Sequence, residues 1–142
     1  LGVEGYVSKA RGAMDLFLEQ ATAMLDSPEE TTDARLEELY EEFRRAMVNC
    51  YAVFGQHAFR KWPEGTERLY PINRPLFESW SCALSQYNTD DLARRKDDIV
   101  SLAREHMTSD RNYNDAITSS TGGVPKVRLR FEIAAEVARA GL

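Results

Sequence analysis

The chain has 142 residues and a mass of 16.1 kDa, the size of one domain with a core of its own. Its 43% hydrophobic and 29% charged residues fit a folded, soluble protein and exclude a disordered or collagen-like one. The net charge of −5 argues against whole-surface attraction to nucleic acid or anionic lipid, and the longest apolar run, Cys50 to Phe54, is far short of the roughly 20 residues of a membrane span.

Val7, Ala10, Met14, Phe17, Leu18, Ala21 and Leu25 recur in steps of three and four and predict a first helix, within residues 1–26, that Asp26, Ser27 and Pro28 stop. An acidic linker follows over 27–35, with Thr31 or Thr32 as the next N-cap. The second helix carries Leu36, Leu39, Tyr40, Phe43, Met47, Cys50 and Phe54 as its core stripe and Glu37, Glu38, Glu41, Glu42, Arg44 and Arg45 on the other face. Gly55 ends it. Residues 58–72 hold Pro63, Gly65 and Pro71 without a period and read as a structured loop, pinned to the core by Phe59, Trp62, Leu69 and Tyr70.

Asn73 is the expected N-cap of a third helix, with Pro75 in its first turn and Leu76, Phe77, Trp80, Leu84 and Tyr87 on its core face. After Asn88 and Thr89, Asp90 and Asp91 open a fourth helix through Leu92, Ile99, Leu102, Ala103 and His106. Ser109 or Asp110 caps a short fifth one ending near Ile117. Thr118 to Gly123 form a small-residue loop before Pro125. Beyond it, Val127, Leu129, Phe131 and Ile133 alternate like a strand, whereas Val127, Phe131, Ala134 and Ala138 fit a helix. The Ala-rich end decides for helix, with Gly141 as terminator. The expected fold is all-α, a bundle-like domain of five to six helices spanning 1–142.

Charge is uneven. Residues 1–58 carry five bases and eleven acids, while the rest is near neutral; an acidic, solvated helix surface accounts for this. Cys50 and Cys82, with no CxxC and no zinc-ligand spacing, read as reduced thiols and point to the cytoplasm. The two histidines, His57 and His106, belong to no metal motif, and no nucleophile elbow, phosphate loop or dinucleotide turn is present. No catalytic residue, metal or cofactor is therefore expected. The most suggestive polar cluster is the loop ending in Thr121, Gly122 and Gly123, followed by Lys126, Arg128 and Arg130: small residues admit an anion, and a helix start offers free N–H groups to phosphate. Helix capping with ordinary surface bases explains much of the same pattern. Arg94, Arg95 and Lys96, flanked by Asp91 and Asp97, read as a salt-bridged face, and Arg60, Lys61 and Trp62 as a core anchor beside Phe59.

Three stretches, VNCYAVFGQHAFRKW (48–62), NRPLFESWSCAL (73–84) and ITSSTGGVPKVRLRFE (117–132), resemble the C-terminal helical region of a large prokaryotic family with a ParB-like N-terminal core, found in GmrSD-type modification-dependent restriction systems. The resemblance spans about residues 36–140. It implies an accessory, non-catalytic helical module of a DNA restriction or phage-defence protein, packed on that core. Thr121, Gly122, Lys126, Arg128 and Arg130 match the family's Thr-Gly and basic positions. The family's Asp-Gly-Gln-Gln-Arg motif, tied to nucleotide hydrolysis or nuclease action, has no counterpart here. A start at Leu1 instead of Met fits a piece of a longer protein, whose whole could be an NTP-dependent nuclease. The alternative is an oligomerisation or protein-interaction domain with no nucleic-acid role. The expected partners are the ParB-like core of the same chain, DNA, or a second copy, and no membrane.

Overall fold

The computed structural model describes Tyr6 and residues 14–142. Among these it holds seven α-helices and no strand: α1 (Met14–Asp26), α2 (Asp33–Phe54), α3 (Arg74–Leu84), α4 (Thr89–Arg94), α5 (Lys96–Ser109), α6 (Arg111–Ala116) and α7 (Val124–Ala138). A 3-10 turn, Gly55–His57, follows α2, and a single antiparallel bridge joins Arg60 to Ile72. The all-α expectation holds, and the segment after Pro125 is a helix. Val7 and Ala10, expected in the first helix, lie outside the described residues.

Side-chain caps set most helix starts. Thr32 accepts from the Arg35 amide, so α2 begins at Asp33, inside the stretch expected as linker. Asn73 accepts from the Leu76 amide at 3.0 Å, with Pro75 in the first turn of α3. Asn88 caps α4, and Asp110 caps α6 through the Tyr113 amide. Gly141, at φ 75°, terminates the last turn; a Cβ there would fall 2.6 Å from an Asp98 carboxylate oxygen.

The core gathers Val53 and Phe54 of α2, Leu76, Trp80 and Leu84 of α3, Leu92 of α4, Ile99 of α5, Tyr113 of α6, and Ile133, Ala134 and Val137 of α7. Trp80 is 1% exposed and meets Phe54 edge-on at 5.2 Å between ring centroids. Asn49, fully buried on α2, donates to the Leu84 and Tyr87 carbonyls and accepts from the Thr89 hydroxyl, tying α2 to the α3–α4 turn. Helix α1 rests on α7 through Met14 and Phe17, which pack with Val127 and Phe131.

Four expectations are corrected. The expected fourth helix is two, broken at Arg95, whose backbone leaves helical geometry (φ −101°, ψ 9°) while its buried guanidinium donates to the Ala138 and Ala140 carbonyls. Arg95 thus closes the C-terminal end of α7, although its bond to Asp91 keeps part of the expected ion pairing. The core stripe of α2 is buried only from Cys50 onward, with Leu39 and Met47 half-buried; Leu36, Tyr40 and Phe43 are exposed, because among the described residues no helix packs on the first three turns. Leu69 is exposed as well, while Phe59, Trp62 and Tyr70 of the same loop are half-buried. The third helix ends at Leu84, and Tyr87 lies in the turn beyond it, half-buried against the core.

Candidate functional site

The small-residue loop and its bases lie between α6 and α7. Arg130 is on the inner face of α7, one turn after Val127 and one turn before Ala134, and is 1% exposed. Its Nη2 donates to Glu78 on α3 at 2.6 Å and its Nη1 to the Thr121 carbonyl; Nε finds no partner among the described residues. Glu78 also takes Arg74 at 3.1 Å, so one carboxylate joins two guanidiniums across α3 and α7. Lys126 pairs with Asp115 of α6 at 2.7 Å and donates to the Ser119 carbonyl, which holds the loop against α6. The Tyr6 hydroxyl donates to the Gly122 carbonyl.

The six residues singled out from the sequence therefore do not converge on one surface. Arg130 and Lys126 brace the loop from within. Thr121 and Gly122 are half-buried and offer carbonyl oxygens to Arg130 and Tyr6. Gly123 is exposed as the N-cap of α7, and Arg128 is exposed on the outer face of that helix. A cleft of about 140 Å³ beside the loop is lined by Arg74 and Arg130 but equally by Asp15 and Glu78, so its charges balance. The partner missed from the sequence is Glu78. Its signal was indirect: the spacing Val127, Arg130, Ala134, Val137 already puts the arginine on a buried face, and a buried guanidinium demands a carboxylate.

The 58–72 loop is held by a second polar knot. Glu67 accepts from the Trp62 indole at 3.1 Å and forms an ion pair with Arg104 of α5 at 3.0 Å, with His57 Nε2 at 3.8 Å. His57 stacks on the Trp62 ring at 4.0 Å, and the Arg104 guanidinium lies 4.5 Å from the centre of that ring. Glu67, Arg104, His57 and Trp62 thus hold one another in the manner of a loop anchor, although His57 Nδ1 and Arg104 Nε have no partner among the described residues.

Burial pushes the Cys50 thiol up to about 12 and raises that of Cys82, so neither is a thiolate near neutral pH. Burial also raises the Tyr113 phenol, whose hydroxyl has no partner. Among the described residues no three His, Cys, Asp or Glu side chains gather in the manner of a metal site.

Two apolar features remain. A hollow of about 330 Å³ between α1, α3 and α7 is lined by Phe17, Ala21, Cys82, Val127 and Phe131. The larger feature is the outer limb, where Leu16, Leu18, Met24 and Leu25 of α1 and Leu36, Tyr40 and Phe43 of α2 are all exposed. Tyr40 and Phe43 retain 60% and 53% of their accessible surface. Val48 and Tyr51 carry the exposed apolar surface further along α2. Arg45, donating to the Ser85 carbonyl at 2.9 Å, marks where α2 joins the core. The part before it, about twelve residues, is some ~18 Å of helix.

No family model matches the sequence, and no curated protein or solved structure matches it, so the likeness to ParB-like restriction proteins gains no support from relatives.

Proposed function

We propose that the chain is a helical protein-interaction module, in which a core of α3 to α7 and the second half of α2 carries α1 and the first half of α2 as its docking surface. The observation that carries this is the exposed aromatic pair Tyr40 and Phe43, in line with Leu36 on a helix face that no other described residue covers. An aligned apolar patch with charged rims is the signature of an interface, and aromatics supply most of the energy in such surfaces. In the restriction-type setting that the resemblance implies, the ParB-like core would be one such partner. A DNA contact would rest on Arg128, because Lys126 and Arg130 are held by Asp115 and Glu78 and the Gly123 amide donates to the Ser120 carbonyl.

The test places a photo-crosslinking residue at Phe43 and, separately, at Arg128, and irradiates the chain in cell extract. Discrete protein adducts at Phe43 and none at Arg128 are the expected result. No protein adduct at Phe43 overturns the module, and nucleic-acid adducts confined to Arg128 would favour the DNA-contacting accessory role in its place.

A further inference from the structure

Resting on that interaction reading, we propose that the occupant of the exposed α2 face is a second copy of the chain, its α2 lying antiparallel against the first about a two-fold axis. Leu36, Tyr40, Phe43, Met47, Cys50 and Phe54 alternate in steps of four and three, the spacing of a coiled-coil seam. The last two enter the chain's own core, and the first three are exposed. Glu37 and Arg44, one heptad apart, flank the seam on one side, and Leu39 and Ala46 flank it on the other.

These flanks choose the orientation. A parallel pair would set the Glu37–Arg44 side of one helix against the Leu39–Ala46 side of the other, leaving the charges unpaired. In an antiparallel pair like flanks meet, and Glu37 of each copy faces Arg44 of the other. Two ion pairs then form by symmetry, around layers of Tyr40 on Phe43 and Leu36 on Met47. On the Glu37–Arg44 flank the approach is open among the described residues. Ala46 is buried against the core on one flank, but Tyr51, one heptad beyond Arg44 on the other, is 70% exposed. Arg44 gives its Nε to Glu41 within the helix at 2.9 Å, and its Nη groups have no partner among the described residues.

The size of the surface sets the strength. Tyr40, Phe43 and Tyr51 together expose about 370 Å² per copy, taking roughly 200 Å² for a whole aromatic side chain. With the neighbouring aliphatic residues this reaches the small end of specific interfaces, the range of reversible, micromolar association.

Sedimentation velocity on the purified chain, over a dilution series spanning the micromolar range, tests the pairing. The dimer fraction should rise with concentration. Glu37→Arg or Arg44→Glu alone should weaken the dimer about tenfold, since each turns two attractive pairs into repulsive ones, and the double swap should recover most of the loss. Both positions are exposed, and circular dichroism with a thermal melt confirms that each variant folds. A monomer at every concentration overturns the pairing, as does a dimer indifferent to both single swaps or a double swap that recovers nothing. If the chain stays monomeric while Phe43 still cross-links to a protein of another mass, the interaction module stands and the self-pairing falls. No adduct at Phe43 and no dimer removes both.

Discussion

Along α2, Cys50 and Phe54 lie in the core while Leu36, Tyr40 and Phe43, on the same apolar stripe, meet solvent. The two halves have the same periodicity, so periodicity alone does not decide burial. What decides it is whether another helix is opposite. From Arg45 onward, Ser85, Leu84 and Tyr87 supply backbone acceptors and α3 and α4 supply packing partners; before it, α2 has among the described residues its own intrahelical pairs, such as Arg35 with Glu38 and Arg44 with Glu41. A stripe that stays amphipathic beyond the described core is the surface on which the proposed interaction rests.

The sharpest way to break this contrast is on the buried side. Trp80→Ala removes the largest fully buried side chain, which meets Phe54 of the anchored half, and should cost about 3–5 kcal/mol in urea unfolding. A loss under ~1 kcal/mol would mean that the core is not where α2, α3 and α7 meet. Next comes Glu78→Ala, which leaves the Arg130 guanidinium buried without its carboxylate. Removing one partner of a buried pair costs several kcal/mol, and because Glu78 is itself about one-quarter exposed, about 2–3 kcal/mol is expected here, with Glu78→Gln milder. Equal stability of Glu78→Ala and the parent chain would return Arg130 to the anion-binding role expected from the sequence.

A smaller effect is expected in acid. The bond from Arg95 holds the Asp91 carboxyl below the usual carboxylate range, so the folded state binds that proton less readily than the unfolded one. The stability this contributes is fully present above the unfolded value near ~3.9 and is lost as pH falls through the folded value. Asp91→Asn should therefore lower the urea midpoint at pH 7, and the gap to the parent chain should narrow below about pH 4. A gap that stays constant down to pH 3 would show that Asp91 does not carry the link between α4 and the end of α7.

Much of the fold was legible because its signals are local. Thr32, Asn73 and Asp110 cap where their side chains and spacing say they should, Pro75 and Pro125 stand in first turns, and Gly141 terminates. The break at Arg95 was not legible, because its cause is the pair of carbonyls at Ala138 and Ala140, more than forty residues on. The loop bases failed for a related reason. Small residues before a basic helix look alike whether the bases face solvent or turn inward to Glu78 and Asp115, and only the periodicity through Val127 and Ala134 hinted at Arg130. The α2 stripe was read correctly as apolar and wrongly as core, because a sequence shows that a face wants a partner but not whether the same chain provides one.

Phe43→Ala is the smallest expected effect on folding and the one that separates the two halves of α2 most directly. Phe43 is 53% exposed, and alanine is the better helix former, so the two terms nearly cancel and the unfolding free energy should move by no more than ~0.5 kcal/mol. The measurement belongs at low micromolar protein, where a weak dimer adds little apparent stability. In the same variant, association should weaken well beyond that change, because Phe43 sits in the central layer of the proposed pair and leaves Tyr40 of the second copy without a ring to pack on. A loss of 3 kcal/mol or more, comparable to Trp80→Ala, would mean that the outer turns of α2 are covered within the folded chain and that both halves of the helix belong to one core.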